Sequence, residues 1–180
     1  MLTELTESLV CRIESNALNR AGTLVPDTIK PSDGFEYYVG TIYWNNFDQV
    51  VRRMSYAISG DETVWWPQYV KGKYGTFAKC LSVNCGNGWV ERDLYKSGLI
   101  GRAIGFDISE KLLLEARREA TSIGMPADYK VADANDLELK GLRCDIVVNN
   151  GAMHHVAYIN KLTRRLYDLV HPRGIYVLMD

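Results

Sequence analysis

Between residues 80 and 155, glycine, carboxylate and amide groups recur at the ends of short apolar runs, where they could hold one elongated polar ligand. The run Leu81-Ser82-Val83 leads into Asn84-Cys85-Gly86-Asn87-Gly88, a tight bend whose two glycines carry no side chain to keep a ligand off the backbone. About twenty residues on, Asp107 closes the run Ala103 to Phe106 and precedes Ile108; a carboxylate there can accept both hydroxyl protons of an adenosine ribose. Asp133 follows Tyr129-Lys130-Val131-Ala132 and leads into Ala134-Asn135, where a carboxylate or backbone amide can meet the polar edge of adenine. Asn149-Asn150-Gly151 ends a fourth run, close to where the far end of such a ligand would lie.

His154 and His155 follow Met153 at the mouth of this arrangement. Adjacent histidines rarely face one ligand together and no H-x-x-x-H spacing accompanies them, so no metal site is expected. Two roles stay open for them: general base at an acceptor hydroxyl or amine, and packing at a helix entry.

Each of these features has a plainer reading. A G-x-G bend occurs in many folds, and a nicotinamide dehydrogenase would want a third small residue where this chain has Glu91. Glu91 itself reads as a first-turn acid favoured by the helix dipole, with contact to the cofactor loop as the alternative. Asp107 could start a helix ahead of Ser109, and Asp133 to Asp136 could be an ordinary polar turn. Cys85 and Cys144 read as small buried residues.

The elements needed to position these groups can be read from apolar periodicity. Leu81 to Asn84, Ala103 to Asp107, Tyr129 to Ala132, Asp145 to Asn149 and Ile175 to Met179 read as five strands. Helical patterns alternate with them: Trp89 to Lys96, then Leu112, Leu113, Ala116, Ala120 and Ile123 after a Ser109 cap and before Gly124, then Ile159 to Val170. A turn, His171-Pro172-Arg173-Gly174, is expected before the fifth strand. Such alternation implies an α/β fold with a parallel sheet, and an open parallel sheet binds ligands beyond the C-terminal ends of its strands.

Residues 1–78 differ from residues 79–180 and read as a helical, aromatic-rich N-terminal extension. Leu2, Leu5, Leu9 and Ile13 suggest one amphipathic helix and the stretch from Asn46 to Ile58 a second. The pairs Tyr37-Tyr38, Tyr43-Trp44 and Trp65-Trp66 are expected to pack this extension onto the sheet domain, with a lid over a ligand as the alternative.

The bulk properties exclude several classes. Twenty-one Lys plus Arg oppose twenty-two Asp plus Glu, with no block of like charge, so a nucleic-acid grip is not favoured. No stretch approaches eighteen uninterrupted apolar residues, and Glu4 stands where a signal peptide needs a basic residue. Cys11, Cys80, Cys85 and Cys144 form no C-x-x-C pair. Reduced thiols in a cytoplasm, and no membrane association, are the expectation.

With these residues in view, Leu81 to Asp180 resembles the core of class I S-adenosylmethionine-dependent methyltransferases, the methyltransferase domain family. Gly86 and Gly88 match the family's glycine-rich first motif, Asp107 its ribose-binding acid, Asp133 its adenine-side residue, and Asn149 to Gly151 its loop after the fourth strand. The resemblance implies a Rossmann-like sheet in the order 3-2-1-4-5 and S-adenosyl-L-methionine as cofactor, with S-adenosyl-L-homocysteine as product. It also implies methyl transfer by direct displacement to a small-molecule or sugar-like acceptor. The cofactor-binding set it implies is Asn84, Cys85, Gly86, Asn87, Gly88, Asp107, Ile108, Ala132, Asp133, Ala134, Asn149, Asn150 and Gly151, with His154 or His155 as catalytic base.

The family usually has an acid at Ser82 and a glycine at Asn84; asparagine tolerates the left-handed backbone that the bend requires. Members of the family also continue past the fifth strand into a helix and an antiparallel hairpin. The core therefore reads as incomplete, with a partner chain or second copy expected over the fifth-strand edge. A degenerate domain that binds cofactor or protein without catalysis is the alternative function, and a nicotinamide oxidoreductase a more distant one.

Overall fold

The computed structural model describes residues 46–180. The amphipathic helix expected near Leu2 to Ile13, the aromatic pairs at 37–38 and 43–44, and Cys11 lie outside the described residues.

Two helices come first, α1 (Asp48–Ser59) and α2 (Trp66–Tyr74). They are followed by β1 (Phe77–Val83), α3 (Trp89–Lys96), β2 (Ile100–Asp107), α4 (Glu110–Ser122), β3 (Ala127–Val131), β4 (Cys144–Asn150), a 3-10 turn (Met153–His155), α5 (Ile159–Leu169) and β5 (Val170–Met179). The five strands form one sheet in the order β3-β2-β1-β4-β5, and every pairing is parallel. This is the parallel sheet expected from the alternation of elements, in the Rossmann-like order that the resemblance implies.

Strand alternation explains why helices cover both faces. Cys80, Ala103 and Ile146 look to one side, into a core shared with Leu94 of α3, Leu113 and Ala116 of α4, and Trp66 and Val70 of α2. Their neighbours Leu81, Ile104 and Val147 look to the other side, against Leu162, Leu166 and Leu169 of α5 and the loop residues Leu137 and Leu139. Leu81 and Leu166 are fully buried, so truncating either to Ala costs about 2–5 kcal/mol. With apolar residues required on both faces, β1 is a near-continuous hydrophobic run, as the central strand of a parallel sheet must be.

Three sequence expectations need correction. The helix α2 was not anticipated: Trp65-Trp66 read as an aromatic cluster, whereas Trp65 caps a helix with Pro67 in its first turn, where the missing N–H is harmless. Its Trp66 is buried against the sheet, in line with the packing expected of that pair. The turn at His171 to Gly174 is instead part of β5, which follows α5 directly; pairing jumps from Cys144 opposite Val170 to Ile146 opposite Ile175, so the intervening residues bulge out of register. Pro172 needs no ladder partner in such a bulge. The second expected helix spans Asp48–Ser59, displaced slightly from the reading of 46 to 58.

Candidate functional site

The C-terminal ends of the strands are joined by side-chain and backbone hydrogen bonds, and the expected residues make most of them. After β1 the chain turns through Asn84 (φ 55°), Gly86 (φ 55°) and Gly88 (φ 73°) into α3. Asn84 is the one described residue other than glycine with positive φ, so it keeps the bend despite its side chain. Its Nδ2 donates to the Ala152 carbonyl at 3.1 Å, tying the β1 tip to the loop after β4.

Asp107 organises the β1–β2 side. Its Oδ2 accepts the Gly86 N–H and its Oδ1 the Ser109 N–H, each at 2.8 Å, while its carbonyl accepts the Ala132 N–H at 3.0 Å. Asp107 thus stands at a helix start, where Ser109 caps α4 by accepting the Leu112 N–H, and the same carboxylate also braces the glycine bend. Each carboxylate oxygen retains a second acceptor position for a ligand hydroxyl. Beside it, Ile108 is 45% exposed, an apolar side chain held in the open at the strand tip.

Asp133 is exposed, and its Oδ1 accepts both the backbone and side-chain N–H groups of Asn135 at 2.8 Å, the geometry of a polar turn. Asn135 passes the link onward, accepting the Ala157 N–H at 2.8 Å. Ala134 is buried below this turn. Asn149 is fully buried and donates from Nδ2 to the Val83 carbonyl, so it braces the β1 and β4 tips from within. Asn150 and Gly151 follow at the rim.

The histidines are not equivalent. His154 Nδ1 lies 2.9 Å from Asp180 Oδ1, and the same carboxylate accepts the backbone N–H groups of Met153 (3.2 Å) and His154 (3.0 Å). A carboxylate at Nδ1 favours the tautomer protonated there and leaves Nε2 as the acceptor. His155 stacks obliquely on His154, with ring centroids 4.1 Å apart. Partial burial and then the adjacent His154 ring hold His155 below the usual imidazole range, with Asp180 and Asp107 opposing. Among the described residues no group of three or more His, Cys, Asp or Glu could hold a metal ion.

Sequence reasoning missed one group that the fold brings here, and the burial of another. Asp180 reaches back 26 positions to the 3-10 turn, a contact with no local signal. Glu91 does lie in the first turn of α3, yet it is fully buried rather than exposed at the helix start. Burial pushes its carboxyl up to about 7, against the smaller opposing influence of the Ser82 hydroxyl, its own backbone amide and Arg92. Cys80, Cys85 and Cys144 are free and buried, and burial raises all three thiols.

Two surface depressions lie away from the strand tips. One of about 300 Å³ sits between the Leu137 to Arg143 loop and α5, and one of about 500 Å³ lies between α2 and β5. No described helix is long and apolar enough to cross a membrane.

A parallel sheet in this order, with a glycine bend after its central strand and an acid at the tip of the next, defines the Rossmann-like class of folds. The chain belongs to the methyltransferase domain family, whose model matches residues 81–178, more than half of its length. A ubiquinone biosynthesis O-methyltransferase from Azorhizobium caulinodans is 28% identical over 100 residues, which cover 56% of this chain and 39% of that protein. One from Sinorhizobium fredii is 30% identical over 109 residues, covering 61% and 41%. The match thus spans about two fifths of these relatives' length. An S-adenosylmethionine-dependent methyltransferase structure from Mesorhizobium loti superposes with a TM-score of 0.51 at 28% identity, covering 58% of this chain and 47% of that one. One from Methanococcus maripaludis, described as a putative S-adenosylmethionine-dependent methyltransferase, matches in fold at TM-score 0.56 and 15% identity, over 75% and 61%.

Proposed function

We propose that this chain carries the cofactor-binding core of an S-adenosylmethionine-dependent methyltransferase that acts on a hydroxyl group of a small acceptor, with residues 1–78 as an extension to it. The observation that carries the reading is Asp107: one buried carboxylate fixes the glycine bend through Gly86 and the next helix through Ser109, beside the open side chain of Ile108. The donor set fits an adenosine cofactor, with spare acceptor positions for ribose hydroxyls at Asp107, an apolar face for adenine at Ile108, and a bend bare of side chains at Gly86 and Gly88. Names of relatives that are O-methyltransferases support an oxygen acceptor.

When bound, the cofactor supplies a methyl group activated by its sulfonium. The chain's own work is alignment and proton removal. Asn84 and Asn149 hold the two sides of the tip region in register, and Asp180 orients His154 so that Nε2 can take the acceptor's proton.

A thermal-shift experiment tests the reading. Saturating S-adenosylhomocysteine should raise the melting temperature by about 5–10 °C, NAD should not, and Ile108→Glu should reduce the shift while leaving the unliganded melt unchanged. A shift with NAD alone, or with neither ligand, overturns it.

A further inference from the structure

Beneath the glycine bend lies a polar cluster for which the proposed chemistry has no role. Glu91 is fully buried, and neither carboxylate oxygen has a hydrogen-bond partner of good geometry; the Tyr129 hydroxyl is likewise buried and unpartnered. Tyr129 lies directly under the bend, since a Cβ on Gly88 would meet its hydroxyl at 2.6 Å. An unpaired carboxylate in such a place is costly when charged, and native proteins rarely keep one without a counter-charge or a proton to balance it.

The groups that face Glu91 come from every strand around it. β1 presents Ser82 and Cys80, the bend Cys85, β2 Asp107 and β3 Tyr129, while α3 itself contributes Arg92. Of these, Arg92 turns its guanidinium to the Asn87 carbonyl, and Arg117 of α4 is spent on the Tyr129 carbonyl. Two carboxylates, Glu91 and Asp107, therefore lie in one poorly solvated region, and Asp107 disfavours a charge on Glu91. A cation placed over the bend would offset a charge on Glu91.

We propose that Glu91 is a positioning residue which is protonated when the bend is empty and gives up its proton when a cationic ligand, such as the sulfonium and ammonium of S-adenosylmethionine, occupies the bend. The carboxyl proton passes to solvent, and the new carboxylate is balanced by the ligand's positive charge. Glu91 acts through the bend rather than by touching the reacting atoms, and the inference rests on the cofactor reading above. A neutral range for its carboxyl, near 7, would make the exchange measurable at ordinary pH.

The test is calorimetric titration of the chain with S-adenosylmethionine at pH 7, in two buffers of different ionisation enthalpy. The unaltered chain should release on the order of half a proton more than Glu91→Gln, and its affinity should rise more steeply between pH 6 and 8, by up to about tenfold per unit that the ligand lowers this carboxyl. Equal proton release from both overturns the proposal and leaves the cofactor reading standing. Failure of the unaltered chain to bind overturns the cofactor reading, and this inference with it.

Should Glu91→Gln not fold, carbon-13 NMR of the unaltered chain labelled at glutamate carboxyls decides the matter. One resonance should titrate near neutrality and shift its midpoint at least one pH unit lower with ligand. A midpoint unmoved by ligand, or no glutamate titrating above pH 6, overturns the proposal.

Discussion

At the tip of β2 the acid is buried and spent on backbone amides, whereas in the 3-10 turn beyond β4 the histidine stands at the surface. Asp107 is 8% exposed and holds two amides; the His154 side chain is 61% exposed and held by one carboxylate. The first arrangement suits a ligand whose shape is always the same, because its cradle must be built before the ligand arrives. The second suits an acceptor and a moving proton, which need access. Perturbing the two regions should therefore give very different penalties.

The largest penalty is expected at Asp107. Replacing it with Ala strands the amides of Gly86 and Ser109 in a buried setting, at about 1–3 kcal/mol each, so urea denaturation should show a loss of roughly 2–6 kcal/mol together with loss of the response to S-adenosylhomocysteine. Full stability in that variant would mean that the bend is not held by this carboxylate.

Glu91 sets the next effect. Its carboxyl is raised from 4.5 to about 7 in the folded chain, so the folded state holds the proton more tightly than the unfolded one. Stability from this group is complete below about pH 4.5 and is lost as pH rises through 7, by about 3 kcal/mol in total. The free energy of unfolding measured from pH 5 to pH 8 should fall accordingly, and Glu91→Gln should flatten that slope.

The glycines sharpen the comparison. A Cβ on Gly88 would meet both the Tyr129 hydroxyl at 2.6 Å and the Ala116 Cβ at 3.0 Å, while one on Gly151 would meet nothing within 4 Å. Both have positive φ. Gly88→Ala should therefore cost about 2–4 kcal/mol, from overpacking added to backbone strain, and Gly151→Ala only the strain of about 1–2 kcal/mol. Equal melting temperatures for the two would erase the contrast between the regions. Smallest of all, Asp180→Asn should cost about 1 kcal/mol or less in stability, since its side-chain partner His154 is exposed and an amide oxygen can still accept the two backbone N–H groups. Its effect should appear instead as lower methyl-transfer turnover with S-adenosylmethionine affinity unchanged.

Legibility from sequence followed the range of the interactions. The bounds of α3 and the glycine bend were readable because their determinants are local: Gly88 ends the bend, Trp89 begins an amphipathic turn, and Asn84 is a residue able to adopt left-handed backbone. The sheet could be read because β1 and β4 are apolar on both faces. The inward direction of Glu91 could not, since an acid in the first helical turn looks the same whether it meets solvent or is buried against the sheet. Asp180 was invisible as a partner of His154 for a related reason, because only the completed sheet sets the end of β5 beside the 3-10 turn. The helix α2 escaped notice because Gly72 lowers its propensity, and it is held instead by tertiary burial of Trp66 and Val70.

The place of β1 in the sheet bears on how the molecule comes together. Its neighbour β2 follows after a single short helix, but its other neighbour, β4, joins it across 66 residues, the span from the Lys79 amide to the Asp145 side chain that accepts its hydrogen bond. Chain-closure entropy is spent before that long-range pairing returns any burial, so β1, β2 and β3 with their two helices should assemble first and β4 dock late. Until it docks, the flank of the central strand is bare. The slow step of refolding, and the window for intermolecular strand pairing, should both lie in the closing of that gap.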